Sequence, residues 1–521
     1  MLNPVREFVL VHADDARTPD GSFPQLADPR FSLASSGPPR RLRRTWLDTF
    51  DWRLFRAGLS LEFCAGRGTS ELVLTGRDGE LVAVEPVTER LGWPCLIDEL
   101  PVGPLSERLA PAVGVRALLP VARATSVLSQ RRALNADEKT IAVVTIDQMT
   151  LTQPRRAPTP PTVAISPLRG YQAQAAKLAD LLALSPGVAP AVHSAFESAL
   201  QAAGRNPGDY TSKIDVHLTD DMPAALAVTT VLTRLLDTMR ANVPGTIRDI
   251  DTEFLHDLRI AVRRTRSVLK MAGSVLPGSM AARYRPEFKW LGDLTTPTRD
   301  LDVYLLGYGQ MAAGLIAGTE PELRPFHEYL KTQRVAAQRQ LARGLRSARF
   351  TRVSSSWQHA LEQVTASPGR RPATGKFAAA RIARAHERVL RGGSVISAAS
   401  PPEALHELRK LCKELRYLLE VFASLHDAAA AWRAVSELKA LQDCLGEFQD
   451  TEVQQAELRA FARQMMADRS APAETMLAMG EIAATLALRQ RAARSEFADR
   501  FAGFASPRGV ARIGALTGAA S

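Results

Sequence analysis

HDLRIAVRRTRSVLK, residues 256–270, sets one histidine and five basic residues among apolar ones. Wound as an α-helix at about 100° per residue, it places His256, Arg259, Arg263 and Arg266 in one stripe, to which Lys270 returns. Leu258, Ala261, Val262, Val268 and Leu269 fall on the opposite side. The stretch therefore reads as an amphipathic helix with a core face and a basic face. Taken alone, such a basic face is ordinarily solvated and paired with acids one turn away.

The rest of the chain changes that reading. At 406–423 the sequence is HELRKLCKELRYLLEVFA, with His406, Arg409, Lys413 and Arg416 at the same four offsets. Lys410 widens this second stripe, and Leu408, Leu411, Leu415, Leu418 and Leu419 form its apolar side. The lead-ins match (DTEFLHDLR at 251–259, PPEALHELR at 401–409), and so do the sequels. KWLGDLTTPTRDLDV (289–303) and QDCLGEFQDTEV (442–453) both read Leu-Gly-acid, then acid-x-acid-Val. A duplicated helical unit explains this, with two bundles related by a pseudo-two-fold axis and both basic helices along one groove.

Charge and periodicity divide the 521 residues. Residues 1–150 hold 18 Lys+Arg against 19 Asp+Glu; the remainder holds 48 against 36, so all the excess positive charge lies there. Such a field attracts anions without naming one. Two Pro-rich stretches read as linkers, TQPRRAPTPPTVAISP (152–167) and SPGRRPATGK (367–376). Before the first, runs such as 58–65, 70–76, 80–87 and 140–151 predict strands, and 106–121 a short helix leading into another. After it, helical period dominates, with helices expected over 188–204, 246–272, 281–294, 299–315, 402–424, 427–446 and 450–468 among others. The expected fold is α+β and multidomain: an antiparallel β-barrel-like domain at 1–152, a linker with junction helices at 153–204, and an all-α domain at 205–510. Its repeat halves cover about 220–350 and 376–500. No uncharged apolar run of 18 residues and no leader-like segment occurs, which predicts a cytoplasmic protein. Cys64, Cys95, Cys412 and Cys444 lie far apart without a CxxC and read as reduced core thiols.

The histidine leading each arginine-rich helix, with its Leu-Gly-acid sequel, resembles the CHAD domain (conserved histidine α-helical domain) over roughly residues 220–500. The resemblance implies an all-α fold of two pseudo-symmetric bundles, binding of inorganic polyphosphate in a basic groove, and association with polyphosphate granules. It assigns binding to His256, Arg259, Arg263, Arg264, Arg266, Lys270, His406, Arg409, Lys410, Lys413 and Arg416. Arg384 and Arg388 of the flanking KFAAARIARAHERVLR helix, with Arg381 and Arg391, make a candidate third stripe. The chemistry suits that ligand. Arginine offers bidentate forks to phosphate oxygens and lysine a compact charge, repeated once per helical turn. Aromatics are scarce in the stripes, Tyr417 alone adjoining them, which disfavours base stacking and specific nucleic-acid recognition. Cations around each histidine repel a metal, so neither metal nor cofactor is expected. Asp300, Asp302, Asp450 and Glu452 either orient arginines or cap helices.

RRTWLDTFDWRLFRAGLSLEF (43–63) resembles the signature hairpin of the CYTH domain, the triphosphate tunnel fold, through Asp48-Thr49, Asp51, Arg53-Leu54 and Ala57-Gly58-Leu59. PLRGYQAQAAKL (167–178) resembles the junction joining CYTH to CHAD domains. That family's chemistry needs tunnel cations and metal-binding glutamates. Here REFVLVH (6–12) offers only Glu7, Glu62 and Phe63 replace a basic pair, and TVAIS (162–166) lacks a carboxylate. Arg77 and Arg123 are the remaining candidates for tunnel cations. The expectation is a degenerate domain without triphosphatase activity, in a non-enzymatic polyphosphate-binding protein. A metal-dependent inorganic triphosphatase and a basic nucleic-acid binder are the alternatives.

Overall fold

The computed structural model describes residues 6–10, 28–77, 79–88, 91–367 and 372–518. The expected linker at 367–376 therefore falls partly outside the described residues, at 368–371. The chain forms two compact units, residues 1–211 and 212–521.

Among the described residues the first unit contains eleven strands: β1 (Arg6–Leu10), β2 (Ser32–Ser35), β3 (Arg40–Asp48), β4 (Leu59–Ala65), β5 (Ser70–Gly76), β6 (Leu81–Pro86), β7 (Leu119–Leu134), β8 (Thr140–Gln153), β9 (Ala157–Pro158), β10 (Thr162–Pro167) and β11 (Val188–Pro190). Four helices accompany them: α1 (Arg53–Arg56), α2 (Pro104–Val113), α3 (Gln172–Ala183) and α4 (Ala195–Ala203). Pairing is antiparallel throughout, in the order β11-β1-β10-β8-β7-β3-β4-β5-β6, with β2 on β7 and β9 on β8. Among the described residues β11 and β6 do not pair, so the barrel expected from the sequence is an open sheet. The stretch 153–204 is built into this unit: β10 lies between β1 and β8, and α3 packs its apolar side on Val144, Val163 and Ile165. The helix expected from residue 188 begins only at Ala195, because Val188–Pro190 serves as an edge strand on β1. An edge is where a proline without an N–H is tolerated.

The second unit is helical: α5 (Ala224–Arg248), α6 (Thr252–Met271), α7 (Gly278–Ala313), α8 (Glu320–Leu345), α9 (Ala348–Ala366), α10 (Thr374–Ser394), α11 (Pro402–Val421), α12 (Ala428–Ala467), α13 (Ala473–Phe504) and α14 (Pro507–Ala515). The order α5-α6-α7-α8 recurs as α10-α11-α12-α13, with neighbours in each series packed together. The helix α6 starts at Asp251, whose carboxylate accepts the Glu253 and Phe254 N–H groups, and α11 starts on Pro402 at the first turn, where the missing N–H costs nothing. The apolar sides of both are buried as the wheel requires, except that Leu411 is half-buried; each fully buried Leu contributes roughly 1.5–3 kcal/mol.

Two expectations change here. Segments 281–294 and 299–315 are one continuous helix, α7, and 427–446 and 450–468 are one helix, α12. Gly292, Pro297 and Gly446 lie inside these continuous helices. The repeats also share their interior. One core joins α5, α6 and the start of α7 to α10, α11 and the first half of α12. A second joins the ends of α7 and α12 to α8 and α13. The long helices run through both, tied where the Tyr304 hydroxyl donates to the Gln454 carbonyl at 3.0 Å.

Candidate functional site

The two basic helices meet along one face. Tyr417, 3% exposed, lies under two guanidinium groups, Arg263 of α6 at 6.0 Å from its ring centre and Arg416 of α11 at 5.5 Å. Lys413 stands beside Arg409, Arg263 and Arg416; burial first, then these like charges, push its ammonium down to about 8. Asp450 opposes them and does not outweigh burial and the three guanidinium groups together.

Carboxylates define which cations are already engaged. Glu420 accepts from Arg264 at 2.9 Å and faces Arg416 at 3.4 Å. Glu414 holds Lys270 at 3.1 Å and Arg388 at 2.9 Å, joining α6 and α10 to α11. Lys410 pairs within its own helix with Glu407. Arg264 also donates to the Ser212 carbonyl, so it fastens the helix more than it faces outward. The flanking Arg384 is exposed on α10, and Arg381 turns to the Ser274 hydroxyl at 2.7 Å. The cations facing the groove with no acid bridge among the described residues are therefore Arg263, Arg266 and Lys413. Buried N–H groups without a hydrogen-bond acceptor among the described residues accompany them: Nε of Arg264 and Arg409, and Nη1 of Arg299.

The Leu-Gly-acid sequel now has a physical reason. A Cβ on Gly292 would stand 2.9 Å from Nη1 of Arg266, and one on Gly446 would stand 3.6 Å from Nη2 of Arg409. Gly292 is thus a notch in the long helix over which Arg266 of the basic helix lies, whereas at Gly446 a side chain would meet Arg409 at ordinary contact distance. Beyond the glycines, Arg259 donates to the Thr296 hydroxyl at 2.6 Å, and Arg409 pairs with Asp450 at 2.8 Å. Each partner stands four residues past its glycine, so Asp450 answers Thr296. The acid-x-acid alignment of the sequences is displaced from this one by about one turn. Asp300 is 4.0 Å from Arg259, and burial holds its carboxyl above the ordinary range. Asp302 turns away to Arg334. The acids thus orient arginines, and neither Asp300 nor Asp302 caps a helix start, both being inside α7.

The histidines differ. His406 Nδ1 lies 2.5 Å from Gln449 Oε1. His256 has neighbours of both signs: burial, then Arg299 and more weakly Arg263, hold it below the ordinary imidazole value against the opposing pull of Glu253 and Asp257. Arg299 is the residue that sequence reasoning missed. It reaches the site from α7, and RDLDV gave it no signal because the repeat carries Val453 there in the ungapped helix register.

In the β unit the signature residues are structural. Asp48 is buried and accepts the N–H groups of Thr49, Leu54 and Phe55, and its carboxyl is pushed up to about 6 by that burial. Asp51 is bridged by Arg53 and Arg116. Arg77 donates to the Phe55 carbonyl, and Arg123 pairs with Thr45, placing it on the opposite face of β7 from the Arg44 neighbour Ala124. The buried cation of the sheet is Arg44, which donates to Glu62 and Asp147, each at 2.8 Å through one of its Nη atoms. Among the described residues no three His, Cys, Asp or Glu side chains gather as a metal-ligand set. No helix there is long and apolar enough to cross a membrane.

Comparisons with known proteins bear on the helical unit. A search of curated proteins finds no match. Among solved structures, the crystal structure of the CHAD domain from the plant Ricinus communis is 21% identical, with a TM-score of 0.44, covering 59% of this chain and 96% of that one. PptA from Streptomyces chartreusis is 18% identical, with a TM-score of 0.43, covering 54% of this chain and 99% of that one. The family model described as CHAD domain matches residues 230–459, a span that holds both basic helices and both glycines, Gly292 and Gly446. The helical unit of this chain carries a CHAD domain.

Proposed function

We propose that the helical unit binds inorganic polyphosphate along the α6–α11 face, that it does so without catalysing a reaction, and that this places the protein on polyphosphate granules. The observation that carries the reading is the unbalanced charge around Tyr417: Arg263, Arg409, Lys413 and Arg416 stand together with buried N–H groups unmet. A polymer of phosphate offers repeated anionic oxygens and no bases, which fits donors arrayed along two helices and a face with one buried aromatic. Arg259, Arg266, His256, His406 and Arg299 extend the face; Lys270, Lys410, Arg264, Arg384 and Arg388 flank it.

For the β unit we propose a CYTH-like ancestry without triphosphate hydrolysis. Arg44, the cation enclosed by the sheet, is already neutralised by Glu62 and Asp147 and has no charge to spare for a substrate.

The deciding experiment uses the full chain. Reversing Arg259, Arg263, Arg409 and Lys413 to Glu lowers retention of long-chain polyphosphate at least a hundredfold, while circular dichroism shows unchanged helicity. Undiminished retention refutes the reading. Duplex DNA added at equal phosphate and moderate salt does not displace polyphosphate; displacement makes the face a general nucleic-acid surface. Metal-dependent phosphate release from triphosphate by the purified protein overturns the non-enzymatic part.

A further inference from the structure

Two adjoining clefts, of about 300 and 560 Å³, open between the start of α7 and α9, and Arg283 and Tyr284 line both. The smaller is walled by Val275, Pro277, Met280 and Val364; the larger by Arg349, Arg352, Ser355 and Ser356. Together they have the size of a small-molecule site, with apolar side chains among Ser279, Gln363 and Ser367 at one end and cationic ones at the other. Glu287 is the only acid lining them, and it engages Arg349 at 2.9 Å. Arg283 lies over the Tyr284 ring at 5.2 Å.

The floor is unusual. Tyr284 is 2% exposed and Trp357 fully buried, their rings 4.6 Å apart. Neither the Tyr284 hydroxyl nor the Trp357 indole N–H has a hydrogen-bond partner among the described residues. Buried polar groups are ordinarily paired, and a tyrosine left unpaired beneath a cationic cleft lacks a partner that a seated anion supplies.

We propose that this cleft is a second binding site, for a small organic phosphate bearing a hydrocarbon body. Arg283 and Arg352 take the phosphate with the serine hydroxyls beside them, and Val275, Met280 and Val364 take the body. Polyphosphate has no apolar part and leaves that end unused, which separates this site from the α6–α11 face.

Hexyl phosphate titrated calorimetrically into the full chain tests the assignment, with inorganic phosphate and hexanol as controls. Hexyl phosphate binds at least tenfold more tightly than either control. Arg283→Glu with Arg352→Glu, both exposed positions, weakens it at least tenfold. Ala360→Phe, which fills the apolar end, removes its advantage over inorganic phosphate; if that variant misfolds, the arginine pair carries the test. Long-chain polyphosphate affinity stays unchanged in each folded variant. Hexyl phosphate binding no better than inorganic phosphate, or ignoring the arginine substitutions, overturns the proposal. So does loss of polyphosphate affinity in the arginine variant, which would make the cleft part of the polymer's path.

Discussion

Arg44 in the β unit and Lys413 in the helical unit are both largely enclosed cations, and they differ in what surrounds them. Arg44 meets Glu62 and Asp147, and the carboxylates, outweighing the cost of its burial, keep its charge firmly in place. Lys413 meets Arg409, Arg263 and Arg416, and burial and repulsion together bring it to about 8. One charge is met by acids on both sides; the other stands mainly among like charges. The difference teaches that counting basic residues says little, and that the local balance around each one separates scaffold from site.

The largest effect falls on the satisfied charge. Arg44→Met leaves Glu62 and Asp147 facing each other in a partly buried space, and costs roughly 3–5 kcal/mol. Hydrogen exchange across β3 and β4 reads it, and adding Glu62→Gln with Asp147→Asn recovers most of the loss. Unchanged protection would put Arg44 in the same class as Lys413.

A smaller effect, visible in pH, falls on the unsatisfied one. Below about pH 8 Lys413 is protonated with or without ligand; above it the free protein carries a neutral amine. Polyphosphate holds the ammonium form, so binding there takes up a proton and affinity falls as pH rises, by up to about tenfold per unit. His256 adds a second slope, with affinity rising as pH drops through its lowered value. Titrations across pH 5 to 9 follow both, and Lys413→Arg flattens only the alkaline limb. A flat wild-type profile would show that this lysine does not feel the ligand.

Much of this was legible in sequence, for reasons that also mark the limits. Periodicity placed α6 and α11, and the four shared offsets found His256, Arg259, Arg263 and Arg266 with their counterparts. What periodicity lacks is the third dimension. Arg264 falls off the stripe and is drawn to Glu420; Arg299 comes from another helix with no counterpart in the repeat. The long helices were split most: 281–294 and 299–315, and 427–446 and 450–468, read as separate segments because the arginines that meet Gly292 and Gly446 are far away in the chain. Gly292→Ala tests that contact. It gains up to about 1 kcal/mol of helix propensity, so thermal stability holds or rises. It also displaces Arg266, so polyphosphate affinity falls about threefold, the loss of a fraction of one charge-assisted contact. Unchanged affinity would return the glycine to an accident of composition.

The smallest effect runs against intuition and tests the comparison most closely. Glu414 engages Lys270 and Arg388 beside the basic face, and Lys270 is 67% exposed. Bridges with such exposed partners contribute about 0–1 kcal/mol, so Glu414→Gln barely lowers the melting temperature. The same change releases two cations next to the groove and removes an anion from the polymer's path. Polyphosphate affinity therefore rises, by about two- to fivefold at low salt, with the gain fading as salt screens it. Were Glu414 instead holding the two helices in their binding arrangement, the substitution would weaken retention at every salt concentration. The sign of that one change tells whether an acid beside the face belongs with Glu62 and Asp147, as part of the scaffold, or restrains charges meant for the ligand.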